Sequence, residues 1–107
     1  DGSDTAFAGG GNDDVYGGDG SDAIYGGSGL DRLYGGDQND RLFGELSSDQ
    51  MYGGNGDDAL NGGVGSDTMY GGANADSMLG LDEDDLMFGD SGNDSMDGGS
   101  GNDAMYG

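Results

Sequence analysis

The stretch GGVGSDTMY, residues 62–70, decides the fold, because its pattern Gly-Gly-x-Gly-x-Asp-x-apolar-x runs along the whole chain without a slip. GGDGSDAIY (17–25), GGSGLDRLY (26–34), GGNGDDALN (53–61) and GGSGNDAMY (98–106) are further clean copies. The aspartate of the unit returns every nine residues, at Asp4, Asp13, Asp22, Asp31, Asp40, Asp49, Asp58, Asp67, Asp76, Asp85, Asp94 and Asp103. A register with no insertion or deletion means that each unit does the same physical job.

Within the unit, the first five positions are too rich in Gly for helix or strand and read as a turn. The last four, Asp-x-apolar-x, read as a very short strand with alternating sides. Position eight is always apolar: Ala6, Val15, Ile24, Leu33, Leu42, Met51, Leu60, Met69, Met78, Met87, Met96 and Met105. One inward residue per unit is therefore the expected core. A single unit buries nothing, whereas stacked copies bury a continuous column.

A turn and a short strand reverse the chain about once per unit, so two units close one coil of 18 residues. The expected fold is all-β: a parallel β-roll, or β-solenoid, of two short parallel sheets and about six coils. One sheet takes strands at 4–7, 22–25, 40–43, 58–61, 76–79 and 94–97. The other takes 13–16, 31–34, 49–52, 67–70, 85–88 and 103–106. At about 4.8 Å per coil the stack is on the order of 29 Å long. One domain over 1–107 is expected, without capping segments, as a piece of a longer roll.

The chain carries 23 acidic residues against two arginines, a formal charge of −21 over 107 residues, with 31% hydrophobic content. Such a chain does not fold by apolar burial alone. Carboxylates about 4.8 Å apart on neighbouring coils repel by roughly 3.5 kcal/mol at an effective dielectric of 20. Something positive must sit between them. There is no Cys, His or Lys. Disulfides, the usual zinc ligands and every ordinary nucleophile–base pair are excluded, and the chain is expected to be non-enzymatic. No apolar run approaches membrane-spanning length, and the acidity argues against nucleic acid. Carboxylates and turn carbonyls are hard oxygen ligands, and six to eight of them arranged flexibly suit Ca²⁺ better than Mg²⁺.

The unit resembles the calcium-binding nonapeptide of the RTX (repeats-in-toxin) proteins, and the resemblance covers the whole chain. It implies a right-handed parallel β-roll with Ca²⁺ between turns one coil apart. The earlier turn gives the carbonyls of positions two and four and its Asp. The later turn gives the carbonyls of positions one and three and its Asp. Carried over, this implies Gly18 and Gly20 with Gly35 and Asp37 between Asp22 and Asp40, and Gly9 and Gly11 with Gly26 and Ser28 between Asp13 and Asp31. Likewise it implies Gly36 and Gln38 with Gly53 and Asn55, Gly54 and Gly56 with Gly71 and Ala73, and Gly72 and Asn74 with Gly89 and Ser91. Gly27, Gly29, Gly62, Val64, Gly63 and Gly65 are further carbonyl ligands by the same rule. Two ladders of six aspartates make ten pairs, and up to ten Ca²⁺ would bring +20 against the −21 of the chain.

Two turns depart from the pattern, GELSSD (44–49) and GLDEDD (80–85), with Glu45, Ser47, Leu81 and Glu83 where Gly is usual. The Asp49/Asp67 and Asp85/Asp103 sites are therefore expected to be the weakest or the most distorted. Position nine holds all the aromatic residues, and on the second sheet Tyr16, Tyr34, Tyr52, Tyr70, Phe88 and Tyr106 form an unbroken outward ladder. That stripe covers its sheet or offers a face to a protein, a sugar or another copy of the chain. Arg32 and Arg41, at position seven, soften local acidity.

The function these features point to is a calcium-binding repeat module that folds on Ca²⁺ after secretion and stabilises an extracellular protein. Extracellular modules of this kind work at about 10⁻⁴ to 10⁻³ M calcium. The resemblance further implies export through a type I secretion channel. Two alternatives stand beside it. One is a self-associating building block of an adhesin, surface layer or filament, joined end to end or through the aromatic face. The other is the accessory C-terminal module of a secreted protease, lipase or sugar-modifying enzyme.

Overall fold

A computed structural model describes residues 2–107. Twelve strands make two six-stranded sheets, and the described residues contain no helix. The first sheet holds β1 (Thr5–Gly10), β3 (Ala23–Ser28), β5 (Arg41–Leu46), β7 (Ala59–Val64), β9 (Ser77–Asp82) and β11 (Ser95–Ser100). The second holds β2 (Asp14–Asp19), β4 (Arg32–Asp37), β6 (Gln50–Asn55), β8 (Thr68–Ala73), β10 (Leu86–Ser91) and β12 (Ala104–Tyr106). Every pairing is parallel with an 18-residue offset, as in Leu42↔Leu60 and Met51↔Met69. The chain is thus a β-solenoid of about six coils. Its extents of 38 × 33 × 13 Å describe a slab, two sheets thick.

The strands are longer than the short segments expected from the sequence. All start at position seven, and β1 to β11 run through positions one and two to position three of the next unit, so Gly9 pairs with Gly27 and Gly10 with Ser28. The cause is the stacking itself. Identical units one coil apart align their amides even where the chain bends, so glycines poor in strand propensity still find ladder partners. The bend survives as left-handed backbone at positions two and four, for example Gly18 at φ 103° and Gly20 at φ 126°.

The core also departs from expectation. The apolar column is present, with Ile24, Leu33, Leu42, Met51, Leu60, Met69, Met78 and Met87 all buried. Position eight is not the only inward position, however. Asp22, Asp31, Asp40, Asp49, Asp58, Asp67, Asp76 and Asp85 are equally buried, at 1–3% exposure. Position-one glycines such as Gly26, Gly35 and Gly53 are buried with them. Positions six and eight share a face because strand side chains alternate, so a unit that aims its apolar residue inward aims its aspartate inward too.

On the outer faces the aromatic residues stack along the roll. Tyr16–Tyr34 and Tyr34–Tyr52 have ring centroids 4.6 and 4.9 Å apart and nearly parallel planes. The ladder continues through Tyr70, Phe88 and Tyr106, and a shorter one joins Phe7, Tyr25 and Phe43. Ring faces cover one another, so the interior rungs turn only edges and hydroxyls outward. Arg32 meets Asp14, its neighbour one coil earlier, at 3.5 Å on an exposed surface.

Candidate metal centre

Each buried aspartate faces two ways along the roll. Its Oδ1 accepts the backbone N–H of the aspartate one coil earlier: Asp4 donates to Asp22 at 2.7 Å, Asp22 to Asp40 at 2.8 Å, and Asp58 to Asp76 at 2.9 Å. The second ladder does the same, with Asp31 donating to Asp49 and Asp49 to Asp67, both at 2.8 Å. Bonds of this kind leave a carboxylate half satisfied.

The other half has no protein partner. Oδ2 of Asp13, Asp22, Asp31, Asp40, Asp49, Asp58, Asp67, Asp76 and Asp85 is buried and makes no hydrogen bond. From Asp22 to Asp85 these oxygens share a place: each lies over the position-one glycine of its own unit, beside the carbonyl of the position-one glycine one coil later. A Cβ built on Gly17 would stand 2.5 Å from Asp22 Oδ2 and 2.6 Å from the Gly35 carbonyl. On Gly53 it would stand 2.5 Å from both Asp58 Oδ2 and the Gly71 carbonyl. Two electron-rich oxygens therefore converge where only a glycine leaves room, and no donor lies between them. Burying an unpaired carboxylate oxygen costs several kcal/mol in principle, and a row of nine is not tolerable without a counter-charge. The donor set is carboxylate plus carbonyl, which suits a hard divalent cation. Among the described residues no three acidic side chains gather at one point. Any ion held here must draw on carbonyls as well as carboxylates.

The burial that strands these oxygens also shifts the acidity of their carboxyl groups. Burial pushes the Asp67 carboxyl up to about 7, and Asp49 and Asp58 to about 6. The N–H bond from the preceding aspartate opposes the rise, and the neighbouring carboxylates of the ladder add to it. Asp40, Asp76 and Asp85 are raised for the same leading reason, loss of water.

The remaining sequence-derived positions divide. Gly26, Gly35, Gly53, Gly62, Gly71 and Gly89, at position one, all lie against the Oδ2 of their own unit's aspartate, and all but Gly26 carry the carbonyl facing the Oδ2 one coil earlier. Position-three carbonyls are engaged instead: Ser28 accepts from Gly11 at 2.9 Å, Asp37 from Gly20 at 3.2 Å, Val64 from Ser47 at 2.7 Å, Ala73 from Gly56 at 3.2 Å and Ser91 from Asn74 at 2.9 Å. Each keeps a second lone pair for an ion. Asn55 sits at the same position in β6, and its side-chain amide donates to Asp37 Oδ1 at 2.8 Å. Position-two and position-four carbonyls point along the roll at the next coil. Those of Gly9, Gly11, Gly18, Gly36, Gln38, Gly54 and Asn74 lie where a Cβ on the residue stacked above would stand, and that residue is glycine in each of these cases. Gly27, Gly29, Gly63, Gly65 and Gly72 are the glycines that receive such carbonyls, and Gly20 and Gly56 do so as well.

The two irregular turns keep the left-handed bend in altered form: Glu45, Ser47, Leu81 and Glu83 stand at φ 78–85°, against 100–126° for Gly9, Gly18, Gly20 and Gly29. The aspartate ladder passes through them unbroken, with Asp85 donating to Asp103 at 3.0 Å. Stacking against regular coils on both sides imposes the bend, and its cost is held as local strain. Sequence reasoning missed Gly17, Gly44, Gly80 and Gly98, which line their aspartates in the same way. The signal was there: position one stays Gly at Gly44 and Gly80, inside the very turns that lose glycine elsewhere.

A parallel β-solenoid whose inward carboxylates face carbonyls one coil away is, by fold and site, a repeat protein built around divalent cations. The chain belongs to the RTX calcium-binding nonapeptide repeat family, whose four-copy signature matches in overlapping windows at 1–33, 16–51, 25–60, 34–69, 45–78, 52–87 and 79–107. It is a calcium-binding repeat module. A comparison with curated proteins gave no match. No helix among the described residues is long and apolar enough to cross a membrane.

Proposed function

We propose that this module is a calcium-driven folding element of a secreted protein, with up to ten ions held between successive turns. The observation that carries this is the row of buried, partnerless Oδ2 atoms, which from Asp22 to Asp85 each face a carbonyl one coil away. The inward aspartates and the position-one carbonyls are the core of each site, completed by carbonyls of positions two, three and four. Bound calcium supplies the positive charge that lets neighbouring carboxylates remain ionised side by side. Because the two halves of each site belong to different coils, no site exists in the unfolded chain. Binding free energy is then folding free energy.

The chain's own residues set the sequence of events. With ions scarce, the −21 charge keeps the chain extended and soluble, the state a secretion channel requires. With calcium at about 10⁻⁴ to 10⁻³ M, coils close and the apolar column is buried. The module acts by stiffening and orienting what it is attached to, without chemistry of its own, since His, Cys and Lys are all absent. Far-ultraviolet circular dichroism against calcium tests this, with ions per chain counted by calorimetry. A β signal that is as strong in EDTA as in millimolar calcium would refute it.

A further inference from the structure

We propose that the edge of the roll formed by the turns before Asp49, Asp67 and Asp85 docks a basic, amphipathic helical segment of a partner protein. The two edges of the slab are chemically unlike. Among the described residues, the large aliphatic side chains exposed in turns all fall on this edge: Leu30, Leu46, Val64 and Leu81, at 43–57% exposure. On the opposite edge, the corresponding position-three residues are Asp19, Asp37, Asn55, Ala73 and Ser91.

Leu46, Val64 and Leu81 sit on three consecutive rungs. Leu46 and Val64 are direct neighbours across β5 and β7, and Leu81 stands on the next strand, beside the rung partner of Val64. Two rung spacings are about 10 Å, which matches the rise between residues i and i+7 of an α-helix, with i+3 or i+4 between them. Three apolar anchors at that spacing are what a helix lying along the roll axis presents.

The rim selects the charge of the occupant. Glu45, Glu83 and Asp84 neighbour the aliphatic residues along the chain, Asp82 stands beside Leu81 as the rung partner of Val64, and the two glutamates are the only ones in the chain. None of these belongs to the inward aspartate ladder, so cations held there leave these charges uncompensated. An apolar strip with acidic neighbours is complementary to leucines flanked by lysine or arginine. The backbone adds weight. Glu45, Leu81 and Glu83 occupy left-handed conformations at φ 78–85°, where Gly is unstrained and a branched or long side chain is disfavoured. These side chains are kept at the expense of stability, although the turn does not need them.

That strain supplies the test. The probe is a helical peptide of leucine and lysine with leucines at i, i+3 and i+7, followed by fluorescence anisotropy in whichever buffer keeps the roll folded, so that failure of calcium-driven folding does not decide the outcome. Against the unaltered chain, the double variant L81G/E83G is expected to lose roughly tenfold or more in affinity, while its thermal unfolding moves upward because the strain is gone. L46S/V64S, which alters the side chains and leaves the backbone carbonyls in place, should lose affinity by a similar factor. Binding that survives L81G/E83G, no binding by the unaltered chain, or equal binding of a leucine–glutamate peptide would each overturn the proposal. So would preferential binding to anionic phosphatidylserine vesicles over the peptide.

Discussion

Replacing Gly53 by Ala isolates the cradle from every other property of the turn. At most sites such a change is mildly stabilising, by about 0.4–1 kcal/mol, because it restricts the unfolded chain. Gly53 is not in the left-handed region, so its backbone accepts alanine. The obstacle is steric. The new methyl would lie 2.5 Å from Asp58 Oδ2, 2.5 Å from the Gly71 carbonyl and 3.0 Å from Asp58 Cβ, where ordinary contact begins at 3.4 Å. Both oxygens must retreat by about 0.9 Å. The carboxylate cannot move alone: Oδ1 of Asp58 is tied to the Asp40 N–H at 2.8 Å, and the Asp58 N–H to Asp76 at 2.9 Å. Overpacking of this size with one weakened charge-assisted hydrogen bond costs roughly 2–4 kcal/mol. Gly10→Ala is the control, since its methyl would meet only Ser28 Oγ at 3.4 Å. Urea unfolding at fixed millimolar calcium should place Gly53→Ala roughly 2–4 kcal/mol below the parent and Gly10→Ala level with it or slightly above. The calcium midpoint for folding should rise for the first variant only. Equal stability of the two variants would show that the position-one gap is not a constrained part of the site.

Three further expectations come from the same geometry. In EDTA, Asp49, Asp58 and Asp67 have folded-state values of about 6 to 7 against 3.8, so their contribution favours the metal-free roll below the unfolded value and is lost as pH rises through about 6 to 7. Circular dichroism in chelator should therefore show more β structure near pH 5 than near pH 8, whereas calcium affinity should fall on acidification. Asp58→Ala removes a carboxylate that faces both neighbouring coils, and Asp4→Ala one near the end of its ladder; calorimetry should count about two ions lost from the first and one from the second. Leu42→Ala empties part of a fully buried column and should cost about 2–5 kcal/mol in urea unfolding at saturating calcium.

Much of this was legible before any coordinates. The unbroken spacing from Asp4 to Asp103 restricted the offset to a multiple of nine, and one chain reversal per unit made it 18. The apolar series from Ile24 to Met87 marked the core for the same reason. Turn behaviour was harder to read. Glu45 and Leu81 looked like places where the bend would fail, since in isolation their side chains disfavour it. Neighbouring coils over-determine the backbone there, and local propensity loses. Strand ends were misplaced by a related effect: Gly9 and Gly10 have no preference for a ladder until a second coil arrives to pair with them.

The order of residues alone determined a two-sheet roll with one carboxylate and one apolar group per unit, because a strict nine-residue repeat with one chain reversal per unit comes back into register every 18 residues. Only the folded arrangement decided which oxygen of each carboxylate is satisfied and which is left over. That depends on the distance from Asp22 Oδ2 to a carbonyl 13 residues further on, at Gly35, and on a glycine between them having no side chain. A linear pattern carries no information about the gap between two coils until the coils are packed.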